Sequence, residues 1–142
     1  MSKLHVAESA VAIGDSRRAW TPSLSAVFVT RRTFLPEVEA PWADAWRRRL
    51  ADVRVRATEC YVKASLGIGG SELPSAERAA RELVDAAPFR ESGHLLLMRA
   101  LAARGNVAEA LAAYERLRVL LRDELGVDPS DAVQDEYVRL LG

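Results

Sequence analysis

Hydrophobic positions in this chain recur at three- and four-residue steps nearly throughout, the period of helices that bury one face. Leu111, Tyr114, Leu117, Leu121 and Leu125 make one such stripe, with Glu115, Arg116, Arg118, Arg122 and Asp123 mostly outside it. Gly105 and Asn106 supply the break and the N-cap before that helix, and Gly126 its left-handed stop. Asp128-Pro129-Ser130-Asp131 then restarts a helix. Asp128 can accept backbone N–H bonds, Pro129 sits where no donor is needed, and Asp131 complements the positive helix end.

The same reading predicts about seven helices. Residues 4–13 are apolar at Leu4, Ala7 and Val11, and Gly14-Asp15 breaks the helix and caps the next. That second helix runs over about 16–29, where Pro22 removes the bond to Arg18 and predicts a kink or a restart capped by Thr21. Residues 30–40 connect, with Phe34, Leu35 and Pro36 as a buried plug. Pro41 opens the longest helix, to about residue 66. Its inner stripe reads Trp42, Trp46, Leu50, Val53, Ala57, Cys60, Tyr61 and Ala64. Gly67 to Gly70 close it. A short alanine-rich helix follows over 74–87, ended by Pro88. The segment 91–104 carries Leu95, Leu96, Leu97, Met98 and Leu101, apolar nearly all round, which marks a central buried helix. No segment alternates as a strand does.

A repeat runs through this pattern. With Ala76 set on Ala110, an offset of 34, Ala79 meets Ala113 and Leu83 meets Leu117. A small residue where two helices cross, with an apolar one seven later, suits a packed hairpin, and the offset equals the tetratricopeptide period. The usual Trp, Gly and Tyr of that motif's first helix are missing. The fold class expected is all-α, tetratricopeptide-like stacked hairpins in one domain over 1–142, and such stacks bind or transmit rather than catalyse.

Composition narrows function by exclusion. Twenty basic and twenty acidic side chains give a formal charge of zero, whereas a free-standing nucleic-acid binder is strongly basic. No run of 18 apolar residues offers a membrane span, and no signal peptide opens the chain. One cysteine, Cys60, makes no internal disulfide, which fits a reducing cytoplasm. Charge is nevertheless uneven. Arg47, Arg48, Arg49, Arg54 and Arg56 stand against Asp52 alone, and Asp123, Glu124, Asp128, Asp131, Asp135 and Glu136 against Arg122 alone. Two readings stay open: solvated helix faces, or a basic surface kept for a partner or for nearby DNA phosphate. Arg47, Arg48 and Arg54 are the candidate partner-binding residues, expected to point away from the core.

Residue types that carry chemistry do not converge. His5 and His94 are far apart, and His94, beside Glu91, reads as a capping or surface histidine. Cys60 falls on an apolar stripe and reads as a small core residue. Gly67-Ile68-Gly69-Gly70 follows no strand and precedes no Lys-Ser/Thr, so it is a turn and not a phosphate loop. Glu37 and Glu39 lack an acid–base constellation. No catalytic residue, cofactor or metal is expected. Trp20, Trp42 and Trp46 read as core or interface anchors, and an exposed one would mark a partner site.

These residues resemble the bacterial transcriptional activator domain. AEALAAYERLRVLLRDELGVDPS from Ala108, followed by a short helix ending in YVRLL, resembles its C-terminal half. FLPEVEAPWADAWRRRL from Phe34 resembles its plug and Trp-led long helix, and AAPFRESGHLLLMRALAARGN from Ala86 its central hairpin. The resemblance runs from about Leu4 to Leu141. In SARP/AfsR-type regulators of actinobacteria this domain follows a winged-helix DNA-binding domain. The resemblance implies a regulatory and dimerisation module, with DNA bound only through a winged helix outside this chain. A protein partner or a homodimer is the partner expected. The alternative is a stand-alone tetratricopeptide-like adaptor that binds a peptide in its concave face.

Overall fold

A computed structural model describes residues 3–31 and 41–142, and all regular structure among them is helical. Seven α-helices are described: α1 (Lys3–Ala12), α2 (Ser16–Arg31), α3 (Pro41–Ile68), α4 (Leu73–Ala86), α5 (Glu91–Ala103), α6 (Val107–Leu125) and α7 (Asp131–Leu141), with one 3-10 turn at Gly70–Glu72. Each helix packs on the one before it, and α3 also touches α1 and α5 while α5 touches α7. The result is a stack of helical hairpins. The plug expected at Phe34, Leu35 and Pro36 lies outside the described residues.

Local chemistry sets the turns. At the ends of α1 and α5 a glycine takes the left-handed region, Gly14 at φ 78° and Gly105 at φ 83°. The same pair of bonds closes both turns. Asp15 N–H reaches Ala10 O at 2.8 Å and Gly14 N–H reaches Val11 O at 3.0 Å; Asn106 N–H reaches Leu101 O at 2.8 Å and Gly105 N–H reaches Ala102 O at 3.0 Å. These bonds satisfy carbonyls that a helix end would otherwise leave open. Asp15 also caps α2, its Oδ1 accepting Arg18 N–H at 3.0 Å.

One local expectation needs correction and two refinement. Of the kink or restart expected at Pro22, the restart at Thr21 does not occur: α2 continues through Pro22. One lost backbone bond is outweighed by the buried face of Ala19, Ser23, Ala26 and Val27, and Ser23 Oγ donates to Ala19 O at 2.7 Å. Asn106 is the N-cap residue of α6, as expected, but makes no side-chain cap bond. α7 starts at Asp131 with Ser130, not Asp128, as the capping residue, and Glu91 Oε1 accepts Ser130 N–H at 2.7 Å. A carboxylate from another helix thus does the work assigned to a local side chain.

The core has two principal parts joined across α3. Leu4, Ala7, Ala26, Val27, Ala57 and Cys60 unite α1, α2 and α3. The larger part gathers Val62 with Leu83, Leu96, Leu97, Met98, Leu101, Leu117, Leu121 and Val133 from α4 to α7. Tyr61 packs against both. The repeat is visible as burial: Ala76, Ala79 and Leu83 on α4, and Ala110, Ala113 and Leu117 on α6, are all buried. Small side chains there let neighbouring helices approach closely. α5 is central, as its sequence predicts, with Gly93, His94, Leu96, Leu97, Met98, Ala100 and Leu101 buried. Tyr114 is buried too. The α6 stripe is shorter than expected, because Leu125 is 56% exposed past the last packed turn.

Candidate partner-binding surface

α3 is 28 residues long, twice the length of α4. Its burial is concentrated in the second half, at Ala57, Thr58, Glu59, Cys60, Val62, Ala64 and Ser65; the first half buries Ala43 alone. Among the described residues the leading half, a spur, is little covered by the other helices. The sequence placed Trp42 and Trp46 on the inner stripe, and the structure overturns this: Trp42 is 58% and Trp46 41% exposed. The stripe is real from Val53 onward, where α1 and α2 cover it. Periodicity fixes which side of a helix faces inward, but not how far the covering helices extend.

The arginines of the spur divide into two sets. Arg56 is committed to the fold, its Nε and Nη2 each 3.0 Å from the Glu8 carboxylate on α1. Arg47 reaches back to Asp44 at 2.9 Å. Arg48, Arg49 and Arg54 are exposed and make no ion pair among the described residues. Of the candidate residues, Arg48 and Arg54 are thus exposed and unpaired among the described residues, and Arg47 shares its charge with Asp44.

The acidic end of the chain divides in the same way. Asp123, Glu124, Asp128, Asp131 and Asp135 are exposed. Glu136 is instead buried, bonded to Arg139 at 2.5 and 3.1 Å with Arg99 at 3.9 Å. The hydrogen bond from Arg139 and the positive charges of Arg139 and Arg99 hold its carboxyl below the usual range. Beside this acidic end, the side of α6 turned from its buried stripe is an open surface. Ala112, Val119 and Leu120 supply its apolar part, and Glu115, Arg116, Asp123 and Glu124 its charges, with Arg122 paired to Asp123. Sequence reasoning missed this surface. Its signal was Val119 and Leu120, apolar residues outside the predicted stripe. A groove of about 240 Å³ lies between α2 and α4, lined by Leu24, Val27, Thr58, Tyr61, Ser75 and Arg78 among others.

Groups able to do chemistry are tied into the fold. Burial pushes the Cys60 thiol up to about 11, so it stays protonated at neutral pH. His94 is neither a helix cap nor a surface residue: it is buried, with Nε2 2.7 Å from Pro88 O. Burial lowers its pKa, against that hydrogen bond, which raises it. Glu59, unremarked in the sequence, is buried on α3 and receives Arg90 Nε at 2.5 Å and Ser92 Oγ at 2.7 Å, which ties α3 to the start of α5. Among the described residues no three His, Cys, Asp or Glu side chains form a metal-binding group, and no helix is long and apolar enough to cross a membrane.

A hairpin stack with charged, solvent-facing ends belongs to the class of helical-repeat interaction domains. The model of the bacterial transcriptional activator domain matches residues 3–141, and the chain belongs to that family. It is similar to Regulatory protein AfsR of Streptomyces griseus, 38% identical over 135 residues, and to Regulatory protein AfsR of Streptomyces coelicolor, 37% identical over 135 residues. Each alignment covers 95% of this chain, but only 14% and 13% of the respective relative.

Proposed function

We propose that this domain is a non-catalytic, cytoplasmic interaction module of a transcriptional activator. It passes dimerisation or effector binding on to a winged-helix DNA-binding domain elsewhere in the polypeptide. The observation that carries this reading is the family match across residues 3–141, together with relatives that are regulators seven or so times longer. Arg47, Arg48 and Arg54 form the partner-binding face, supported by the exposure of Arg48 and Arg54, which make no ion pair among the described residues. No cofactor enters the mechanism; the domain acts by contact and charge alone.

The test is charge reversal of Arg47, Arg48 and Arg54 in the full-length regulator, with promoter activation as readout and circular dichroism as the folding control. Loss of activation with the fold intact is the expected result. Unchanged activation would return the face to ordinary solvated surface. One observation favours the adaptor reading instead, the groove between α2 and α4 with its hydroxyls and Arg78. A reading frame that continues upstream into a winged helix separates the two.

A further inference from the structure

We infer that the groove between α2 and α4 binds a small carboxylic acid, a single negative charge on a short apolar tail, as the effector of the domain. This deepens the effector arm of the reading above and rests on it. α2 and α4 both pack on α3 and do not pack on each other, which leaves a cleft of about 240 Å³ floored by Thr58 and Tyr61 of α3. Leu24, Val27 and Ala79 line it with apolar surface. Ser75 and Arg78 stand towards the start of α4, the positive end of that helix's dipole, where no side chain caps the backbone. Arg78 makes no ion pair among the described residues. Its Nη2 donates to Ser75 Oγ at 3.3 Å, a long hydrogen bond, whereas Arg81 on the same helix is paired with Glu77 and Glu109.

The same end of the groove holds two orphaned polar groups. α2 begins beside the end of α3, with Ser16 against Gly67, and α4 begins just after α3 finishes. Trp20 and Ser65 each stand one turn from a lining residue, Leu24 and Tyr61, on the same helix faces, and the Trp20 and Tyr61 rings lie 6.1 Å apart. Trp20 Nε1 and Ser65 Oγ are buried without a hydrogen-bond partner among the described residues. A buried polar group left in that state is costly and calls for an explanation. Guanidinium, two hydroxyls and an indole N–H can all donate, which suits an oxyanion. One guanidinium balances one negative charge. Glu82 lies one turn beyond Arg78 on the same wall and opposes a second charge, such as a phosphate carries. From Ser75 to Glu82 the wall runs about 10 Å, enough for a head group and about six carbons. An extended peptide would place only about three residues there, so a small acid is the better fit. Once seated, the acid touches α2, α3 and α4 together and joins two helices that otherwise do not meet.

Titrating hexanoate into the 142-residue chain, followed by backbone amide NMR shifts, tests this. Shifts should gather at Leu24, Thr58, Tyr61, Ser75 and Arg78 and saturate with a Kd of about 1 mM or tighter. Hexanamide keeps the tail and acetate keeps the head, and each should bind at least about tenfold more weakly. Arg78 is exposed, so Arg78→Gln should keep the fold while hexanoate affinity falls at least about tenfold. Absence of saturable shifts up to about 20 mM hexanoate overturns the inference. Equal binding of hexanamide and hexanoate overturns it, as does an Arg78→Gln variant that binds hexanoate as the wild type does. Inorganic phosphate bound more tightly than hexanoate overturns it as well, and so does a short peptide bound more tightly through its terminal carboxylate, which would favour the adaptor. None of these outcomes touches the charge-reversal test of Arg47, Arg48 and Arg54, so the interaction module stands or falls separately.

Discussion

Tyr114 on α6 and Tyr137 on α7 stack with ring centroids 4.0 Å apart and planes 13° from parallel. α7 is short, and this pair joins buried Val133 and the Glu136–Arg99 contact in holding it to the stack. Replacing Tyr114 with alanine should cost about 3 kcal/mol, the scale for a lost buried aromatic. Replacing Tyr137, which is half-buried, should cost less. A double-mutant cycle in urea should return a coupling of about 1 kcal/mol. Additive losses would mean that the rings touch without stabilising each other.

Gly67 lets the start of α2 come close to the end of α3. A Cβ placed there would lie 1.8 Å from Ser16 Oγ and 2.6 Å from Ser16 Cβ, so the start of α2 would have to move. Gly67→Ala should destabilise by about 1–3 kcal/mol, as overpacked sites do. Adding Ser16→Gly should recover most of the loss. Thermal melts of the single and double variants decide the matter, and a neutral single variant would refute the close contact.

His94 makes stability depend on pH. Burial depresses its folded-state pKa below the unfolded value of 6.5. The unfolded chain therefore takes up the proton first as pH falls. The contribution of neutral His94 is fully present above pH 6.5 and is lost as pH drops from there towards the folded pKa. His94→Gln, which can still donate to Pro88 O, should flatten that part of the stability profile. Equal slopes for the two proteins between neutral and mildly acidic pH would show that His94 is not the group responsible.

The isolated chain should bind DNA weakly and without sequence preference. Its formal charge is zero, and the exposed arginines of the spur can meet phosphates but not read bases. Mobility shifts with specific and random duplexes should coincide and vanish as salt is raised. Sequence-selective nanomolar binding in physiological salt would contradict the neutral, non-reading surface described.

The helices were legible because each buries one face, and burial leaves a 3.6-residue trace. The 34-residue offset was legible for the same reason: Ala76 and Ala110 must both be small where helices cross. Trp42 and Trp46 were misplaced because phase along a helix carries no information about the length of its neighbours. Glu59 and Glu136 were invisible as buried residues. A carboxylate reads as surface until its partner is located, and Arg90 lies 31 residues from Glu59. His94 hid likewise, since its partner is a backbone oxygen rather than a side chain. Of the surface residues, the arginines announced themselves by density. The apolar pair Val119 and Leu120 on α6 did not, because two apolar residues on a polar face resemble ordinary scatter.

The unequal length of α3 has a mechanical consequence. At about 1.5 Å per residue its 28 residues span about 42 Å. Among the described residues only the trailing half is packed into both core parts, so a change of packing there would be carried along the helix to its leading end. A tilt of about 3° at the grip would carry the tip, where Trp42 stands, through about 1 Å over the free half and about 2 Å over the whole rod. A small repacking around Tyr61, which touches both core parts, would thereby be amplified at the exposed end of α3.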